Sequence, residues 1–140
     1  MKNTIYPCLW MDGKAHEAAD FYCGVFPNSH IISKNPIVAV FELNGNRFMT
    51  MNGGPEYKIN EGVSFVVSCE TQQEIDYYWD KLTAGGQEGK CGWLTDKYGV
   101  SWQIVPSILG ALMNDAEKAP KVMYAFMQMK KFDLEKLKQA

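Results

Sequence analysis

Two six-residue stretches, EAADFY at residues 17–22 and EIDYYW at residues 74–79, decide the fold that we expect for this chain. They lie 57 positions apart, and each stands between an apolar, strand-like segment and further strand-like segments. A second pair, GNRFM at 45–49 and GVSWQ at 99–103, repeats at an offset of 54. An internal repeat of this kind predicts two copies of one supersecondary unit.

The first copy reads as a strand, a helix and a hairpin. Residues 6–11 are apolar and end at Asp12-Gly13, and residues 14–26 carry apolar side chains at spacings of three and four, which is helical periodicity. We expect Asp12 to cap this helix and His30 to lie in the turn after it. Strands at 37–43 and 46–52 flank Asn44-Gly45, a strong signal for a two-residue hairpin turn.

The second copy repeats this order and is followed by helices. After an apolar strand at 62–69, Thr71 and Glu74 have the spacing of a capping box before a helical segment at 72–84. Strands are predicted at 87–90, 93–96 and 100–105, with Asp96 as a turn residue, and helices at 107–113 and 119–131. Asp133 is expected to cap a last helical turn that reaches Lys138.

The repeated order predicts an α+β fold of two pseudo-symmetric βαβββ modules within one domain of residues 1–140. Module 1 covers about residues 4–56, module 2 about residues 60–106, and C-terminal helices occupy 107–140. Neither half has enough strands to cover both of its faces. We therefore expect the half-sheets to form one curved mixed sheet with helices outside and a cavity inside.

Charge and hydropathy exclude several classes of protein. The formal net charge is −2 and no basic stripe occurs, so we expect no nucleic-acid partner. No apolar run approaches the roughly 18 residues of a membrane span, so we expect no membrane partner. The N-terminal segment lacks the apolar core of a signal peptide, which predicts a cytoplasmic protein.

Five stretches of the sequence together resemble a known family. They are FMTMNGGP at 48–55, YWDKL at 78–82, CGWL at 91–94, DKYGVSWQIVP at 96–106, and the tail at 121–131. This combination resembles the PhnB-like branch of the vicinal oxygen chelate superfamily, which contains glyoxalases, bleomycin resistance proteins and dioxygenases. Members of this branch are often labelled 3-demethylubiquinone-9 3-methyltransferase-like. That label implies a methyl-donor site, usually a G-x-G-x-G turn, and the sequence contains none.

The resemblance also implies where a metal would sit. In the metal-using relatives, His and Glu side chains on the first and last strands of each module hold a divalent ion. The matching positions here are Pro7, Met49, Ser64 and Gln103. None of them is a carboxylate or imidazole ligand, so we expect no metal and no cofactor.

The strands that would line the cavity predict a ligand-binding surface. Side chains alternate along a strand, so residues two apart share a face. The residues expected to bind a ligand are Leu9, Met49, Met51, Ser64, Val66, Trp93 and Gln103. This mostly apolar set, with a hydroxyl and an amide, suits an uncharged or flat organic molecule. No residue is assigned a catalytic role.

Three functions remain open from the sequence. The first is a metal-free small-molecule-binding protein of the glyoxalase/bleomycin resistance superfamily, which the ligand-poor, apolar lining favours. The second is a metal-dependent lyase, isomerase or dioxygenase, which only the fold supports. The third is an interaction module that acts through its Met-rich C-terminal helix. The family resemblance further implies a homodimer.

Overall fold

The structure, a computed structural model, describes residues 3–140. They form two compact units, of which the first ends at Ile59 and the second spans Asn60–Ala140. The first unit contains module 1, and the second contains module 2 with the C-terminal helices. No helix among the described residues combines the length and apolar character that crossing a bilayer requires.

Unit 1 is one helix on a four-stranded sheet. Its elements in chain order are β1 (Cys8–Met11), α1 (Ala15–Val25), β2 (His30–Lys34), β3 (Val38–Leu43) and β4 (Asn46–Asn52). The strand order is β1-β4-β3-β2, and only β1 and β4 are parallel. Asn44 and Gly45 have φ values of 49° and 84°, as the predicted two-residue hairpin turn requires.

The core of unit 1 lies between α1 and one face of its sheet. The helix buries Ala15, Ala18, Ala19, Tyr22 and Val25. Small alanine side chains let the helix approach the sheet closely, and the Tyr22 ring stacks on Phe41 with 6.2 Å between centroids. The sheet side of this core is formed by Leu9, Met11, Ala39, Phe41, Phe48 and Thr50.

Two residues of β4, distant in sequence, hold the start of α1. The prediction that Asp12 caps this helix was wrong, because the N-cap position is Lys14 and makes no side-chain cap. Instead the Asn52 Oδ1 accepts the Ala15 N–H at 2.8 Å, and the Thr50 hydroxyl donates to the Ala15 carbonyl at 2.7 Å. These bonds tie the first turn of the helix to β4.

Strand β2 was not predicted, and His30 lies in it rather than in a turn. The strand is at the edge of the sheet and mostly exposed, and its pairing with β3 shifts register between Ile31 and Ser33. A strand with no buried face carries no alternation of apolar and polar residues. The sequence signal for β2 is therefore missing.

Unit 2 repeats the order of unit 1 and adds three helices. Its elements are β5 (Ser64–Cys69), α2 (Gln72–Thr83), β6 (Gln87–Glu88), β7 (Trp93–Thr95), β8 (Ser101–Pro106), α3 (Leu109–Asn114), α4 (Ala119–Met127) and α5 (Leu134–Gln139). The strand order is β5-β8-β7-β6, with β5 and β8 parallel. The predicted capping box of Thr71 and Glu74 and the Asp133 cap are both present. The predicted α+β fold of two βαβββ modules is confirmed.

The C-terminal segment is bound tightly to unit 2. The Gln72 side chain donates to the Phe132 carbonyl at 3.0 Å and accepts from the Leu134 N–H at 2.8 Å. Lys131 pairs with Asp76 at 2.8 Å, and the hydrogen bond between them lowers the pKa of Asp76 and raises the pKa of Lys131. Phe132 is buried, so the segment supplies part of this unit's core.

Asp96 organises the turn between β7 and β8, as predicted. Its buried carboxylate accepts the N–H groups of Tyr98 at 2.8 Å and Val100 at 3.1 Å. Its other oxygen accepts the indole N–H of Trp102 at 2.9 Å. One side chain therefore satisfies three donors, two of which belong to the turn.

Replacing Asp96 tests this account of the turn. We expect Asp96→Ala to lower the free energy of unfolding by about 3 kcal/mol or more, because three donors lose a charged acceptor. Urea denaturation at neutral pH, followed by circular dichroism, measures the loss. Asp96→Asn retains one carbonyl oxygen and should lose less. An Asp96→Ala midpoint equal to that of the original chain would contradict the assignment.

Candidate functional site

In both units the sheet has one face that packs against a helix and one that points away from it, here called the distal face. Residues paired across neighbouring strands place their side chains on the same face. The register of each sheet therefore decides which of the predicted site residues share a surface.

On the distal face of unit 1, two rows of side chains cross three strands. One row contains Cys8, Met49 and Val40, and the next contains Trp10, Met51 and Val38. Cys8 is exposed, and the other five side chains are partly buried. Met49 and Met51 thus lie on one surface, and their role in binding a ligand stays a prediction.

Leu9 does not share this surface, so the prediction that it lines the same face as Met49 and Met51 was wrong. It pairs with Thr50 on the helix side and is only 7% exposed. The reason is an unequal connection between strand and helix. Cys8 pairs with Met49, and Val66 pairs with Gln103, which is the residue of module 2 that corresponds to Met49. Cys8 lies seven positions before the first residue of α1, whereas Val66 lies only six positions before the first residue of α2. The helix offset of 57 therefore misplaces the first strand by one residue.

A loop segment anchors Trp10 over the end of unit 1's distal face. The indole N–H of Trp10 donates to the Gly54 carbonyl at 2.8 Å, and Tyr57 meets the ring edge-to-face at 5.0 Å. A Cβ atom on Gly53 would lie 2.3 Å from the ring, so only glycine fits beneath it. Gly53 and Gly54 therefore hold Trp10 in place, a role that no local sequence pattern indicates.

The distal face of unit 2 brings together the four site residues predicted in that unit. Val66, Gln103 and Trp93 form one row across β5, β8 and β7. Ser64 lies in the next row, and its Oγ accepts a hydrogen bond from the Gln103 Nε2 at 3.0 Å. We call these four residues the Gln103 surface.

The Gln103 surface keeps polar groups available beside an apolar wall. The bond to Ser64 fixes the orientation of the Gln103 amide, and its Oε1 accepts from no donor within residues 3–140. The Trp93 indole N–H likewise has no acceptor among the described residues. Val66 is 59% exposed and presents methyl groups next to them. This arrangement can bind and orient a molecule, and it carries no acid or base.

The residues at the implied metal positions do not fit a hard divalent ion. By strand register, Tyr6 rather than Pro7 is the counterpart of Ser64, and neither supplies a carboxylate or imidazole. Within residues 3–140, no three His, Cys, Asp or Glu side chains are placed to hold an ion. The Nε2 of His16 is instead bonded to the Asn35 carbonyl at 2.6 Å, and His30 lies 3.6 Å from Glu42.

The four cysteines are free thiols. Burial raises the pKa of Cys8 and Cys23, and burial together with the charge of Glu74 raises the pKa of Cys69 to about 11. Cys91 is a turn residue with a φ of 56°, whose N–H donates to the Met129 carbonyl. This backbone bond gives Cys91 a structural contribution at the turn.

A family model described as 3-demethylubiquinone-9 3-methyltransferase matches residues 3–105. The chain belongs to this family. The PhnB protein of Bacillus cereus is 34% identical over 74% of this chain and 99% of that one, with a TM-score of 0.68. Protein PA1353 of Pseudomonas aeruginosa is 19% identical over 75% and 98%, with a TM-score of 0.62. A glyoxalase-related enzyme of Fulvimarina pelagi is 16% identical over 76% and 88%, with a TM-score of 0.55. A comparison with curated proteins gave no match.

These comparisons confirm the PhnB-like resemblance and the glyoxalase-like fold. The family's description names a methyltransferase, and a Gly-rich turn between a strand and a helix is the usual seat of such a donor's site. The connections from β1 to α1 and from β5 to α2 contain one glycine, Gly13. They do not fit a methyl-donor site of that kind.

Replacing Gly53 tests whether the loop after β4 holds Trp10. We expect Gly53→Ala to shift Trp fluorescence and to cost about 1–3 kcal/mol of stability, because the new methyl group displaces the ring. Thermal unfolding and emission spectra measure both effects. Gly24→Ala is the control, since its Cβ would meet open space on α1 and should stabilise the chain slightly. Equal behaviour of the two variants would contradict the proposed packing.

Proposed function

We propose that this chain is a small-molecule-binding protein of the glyoxalase/bleomycin resistance superfamily that lacks the usual divalent metal ligands, with its small-molecule ligand on the Gln103 surface. The observation that carries the proposal is the row of Val66, Gln103 and Trp93, in which Ser64 orients the amide. Family membership supports it, because the superfamily builds its binding sites on these sheets. We further propose a cytoplasmic homodimer.

The chemistry of the Gln103 surface indicates the kind of ligand. A flat ring system would lie against Trp93 and the methyl groups of Val66. A donor on the ligand would pair with the Gln103 Oε1, and an acceptor would pair with the Trp93 indole N–H. A charged ligand would find no ionised partner in this row, so the proposed ligand is neutral.

The other two functions receive less support. A metal-dependent lyase, isomerase or dioxygenase needs a donor set that Pro7, Met49, Ser64 and Gln103 do not supply. An interaction module would act through its Met-rich C-terminal helix. Met123, Tyr124 and Met127 of α4 are exposed and offer a contact surface, but they do not specify a partner.

Titration with neutral aromatic compounds tests the proposal. We expect 1-naphthol or menadione to bind saturably and to quench Trp fluorescence, with calorimetry to confirm the stoichiometry. Gln103→Leu should weaken binding of the better ligand by about 5- to 30-fold, the equivalent of about 1–2 kcal/mol for one hydrogen bond. Trp93→Leu should weaken it as well and remove much of the quenching.

The control is Gln73→Leu, an exposed glutamine on α2, the helix that covers the opposite face of this sheet. It should bind like the original chain. Binding that is unsaturable, or that survives unchanged in both Gln103→Leu and Trp93→Leu, would refute the Gln103 surface as the site.

A further inference from the structure

Three sulfur-containing side chains share the distal face of unit 1. Cys8 on β1 is the register partner of Met49 on β4, and Met51 follows on the same face two residues later. Neighbouring strands lie about 4.8 Å apart, and residues two apart along a strand are separated by about 6.7 Å. Methionine has three rotatable bonds, so both thioethers can reach a point in front of the Cys8 thiol.

The surroundings of these sulfurs are apolar, and the thiol is accessible. The other members of the two rows are Val38, Val40 and Trp10, none of which is ionisable. Cys8 is exposed, so an ion could reach it from solvent. Trp10, held in place by the Gly54 carbonyl, stands beside Met51 and presents an aromatic ring to the same surface.

The charged residues of this face, Glu42 and Arg47, lie in the next row and contact other side chains there. Glu42 pairs across the strands with Arg47 and lies 3.6 Å from His30. The Arg47 guanidinium lies over the Tyr6 ring at 5.5 Å from its centroid. The sulfur cluster therefore offers soft donors without a carboxylate or imidazole in its own two rows.

We propose that Cys8, Met49 and Met51 form a binding site for a soft monovalent cation, specifically Cu(I). Thiolate and thioether ligands select Cu(I), whereas Mg²⁺, Mn²⁺ and Fe²⁺ prefer oxygen and nitrogen donors. Met49, which is unsuitable as a ligand for a hard divalent ion, is thus suited to a soft one.

Binding changes no oxidation state. The S–H bond of Cys8 breaks, its proton passes to solvent, and a bond forms between the sulfur and Cu(I), while the two thioethers donate lone pairs. Burial raises the pKa of Cys8, so the thiol is protonated at neutral pH and each bound ion releases one proton. The site lies in unit 1 and uses none of the Gln103 surface, so either proposal can fail alone.

Competition with bathocuproine disulfonate, under anaerobic conditions with ascorbate, measures Cu(I) affinity. The background carries Cys23→Ser and Cys91→Ser, so that Cys8 is the exposed thiol that remains while Cys69 stays buried. The test variants are Cys8→Ser, Met49→Leu and Met51→Leu. Met11→Leu is the matched control, because Met11 lies on β1 but faces the helix side and is 5% exposed.

Mutation of a residue that only hydrogen-bonds to a metal ligand lowers metal affinity by about 10- to 100-fold. Loss of a ligand itself should cost at least as much, so we expect each Met variant to lose at least roughly tenfold in Cu(I) affinity. Cys8→Ser should lose more, and Met11→Leu should match the background. Quenching of the chain's Trp emission by the ion should follow the same order. Met49→Leu and Met51→Leu affinities equal to that of Met11→Leu would reduce the site to a thiol alone and overturn the proposal. Calorimetry with 1-naphthol reports on the Gln103 surface independently.

Discussion

The parallel pairing of the first and last strand of each module is the constraint on which the other features depend. It joins β1 to β4 in unit 1 and β5 to β8 in unit 2, and a helix must cross over between the partners. The helix covers one face of each sheet, and the candidate site lies on the other face. A shift of one residue in this pairing would exchange the two faces, so the register determines the chemistry of the site.

The parts of the fold that local sequence determines could be predicted. The Asn44-Gly45 turn, the Thr71 capping box and the Asp96 turn depend on residues a few positions apart, and the structure has all three. The edge strand β2 and the Asn52 contact that starts α1 depend on partners far along the chain. Neither leaves a pattern in the local sequence, so neither could be predicted.

The candidate site shows the same division. Ser64 and Val66 share a face because side chains alternate along β5, which is a local property, and strand register adds Gln103 and Trp93 to that face. Leu9 was misplaced because its face depends on the length of the connection to α1, which an offset measured on helices does not report. Trp10 was overlooked because its position depends on Gly53 and Gly54, which follow a different strand.

The manner in which the C-terminal segment is anchored has a consequence for biosynthesis. Gly92 leaves room for the Phe132 ring, and Gln72 bonds to the Phe132 carbonyl and to the Leu134 N–H. The core of unit 2 is therefore incomplete on the ribosome until residues 132–137 have emerged. The residues that pack between α1 and the sheet of unit 1 all precede Ile59, so they are synthesised before the core of unit 2 can close.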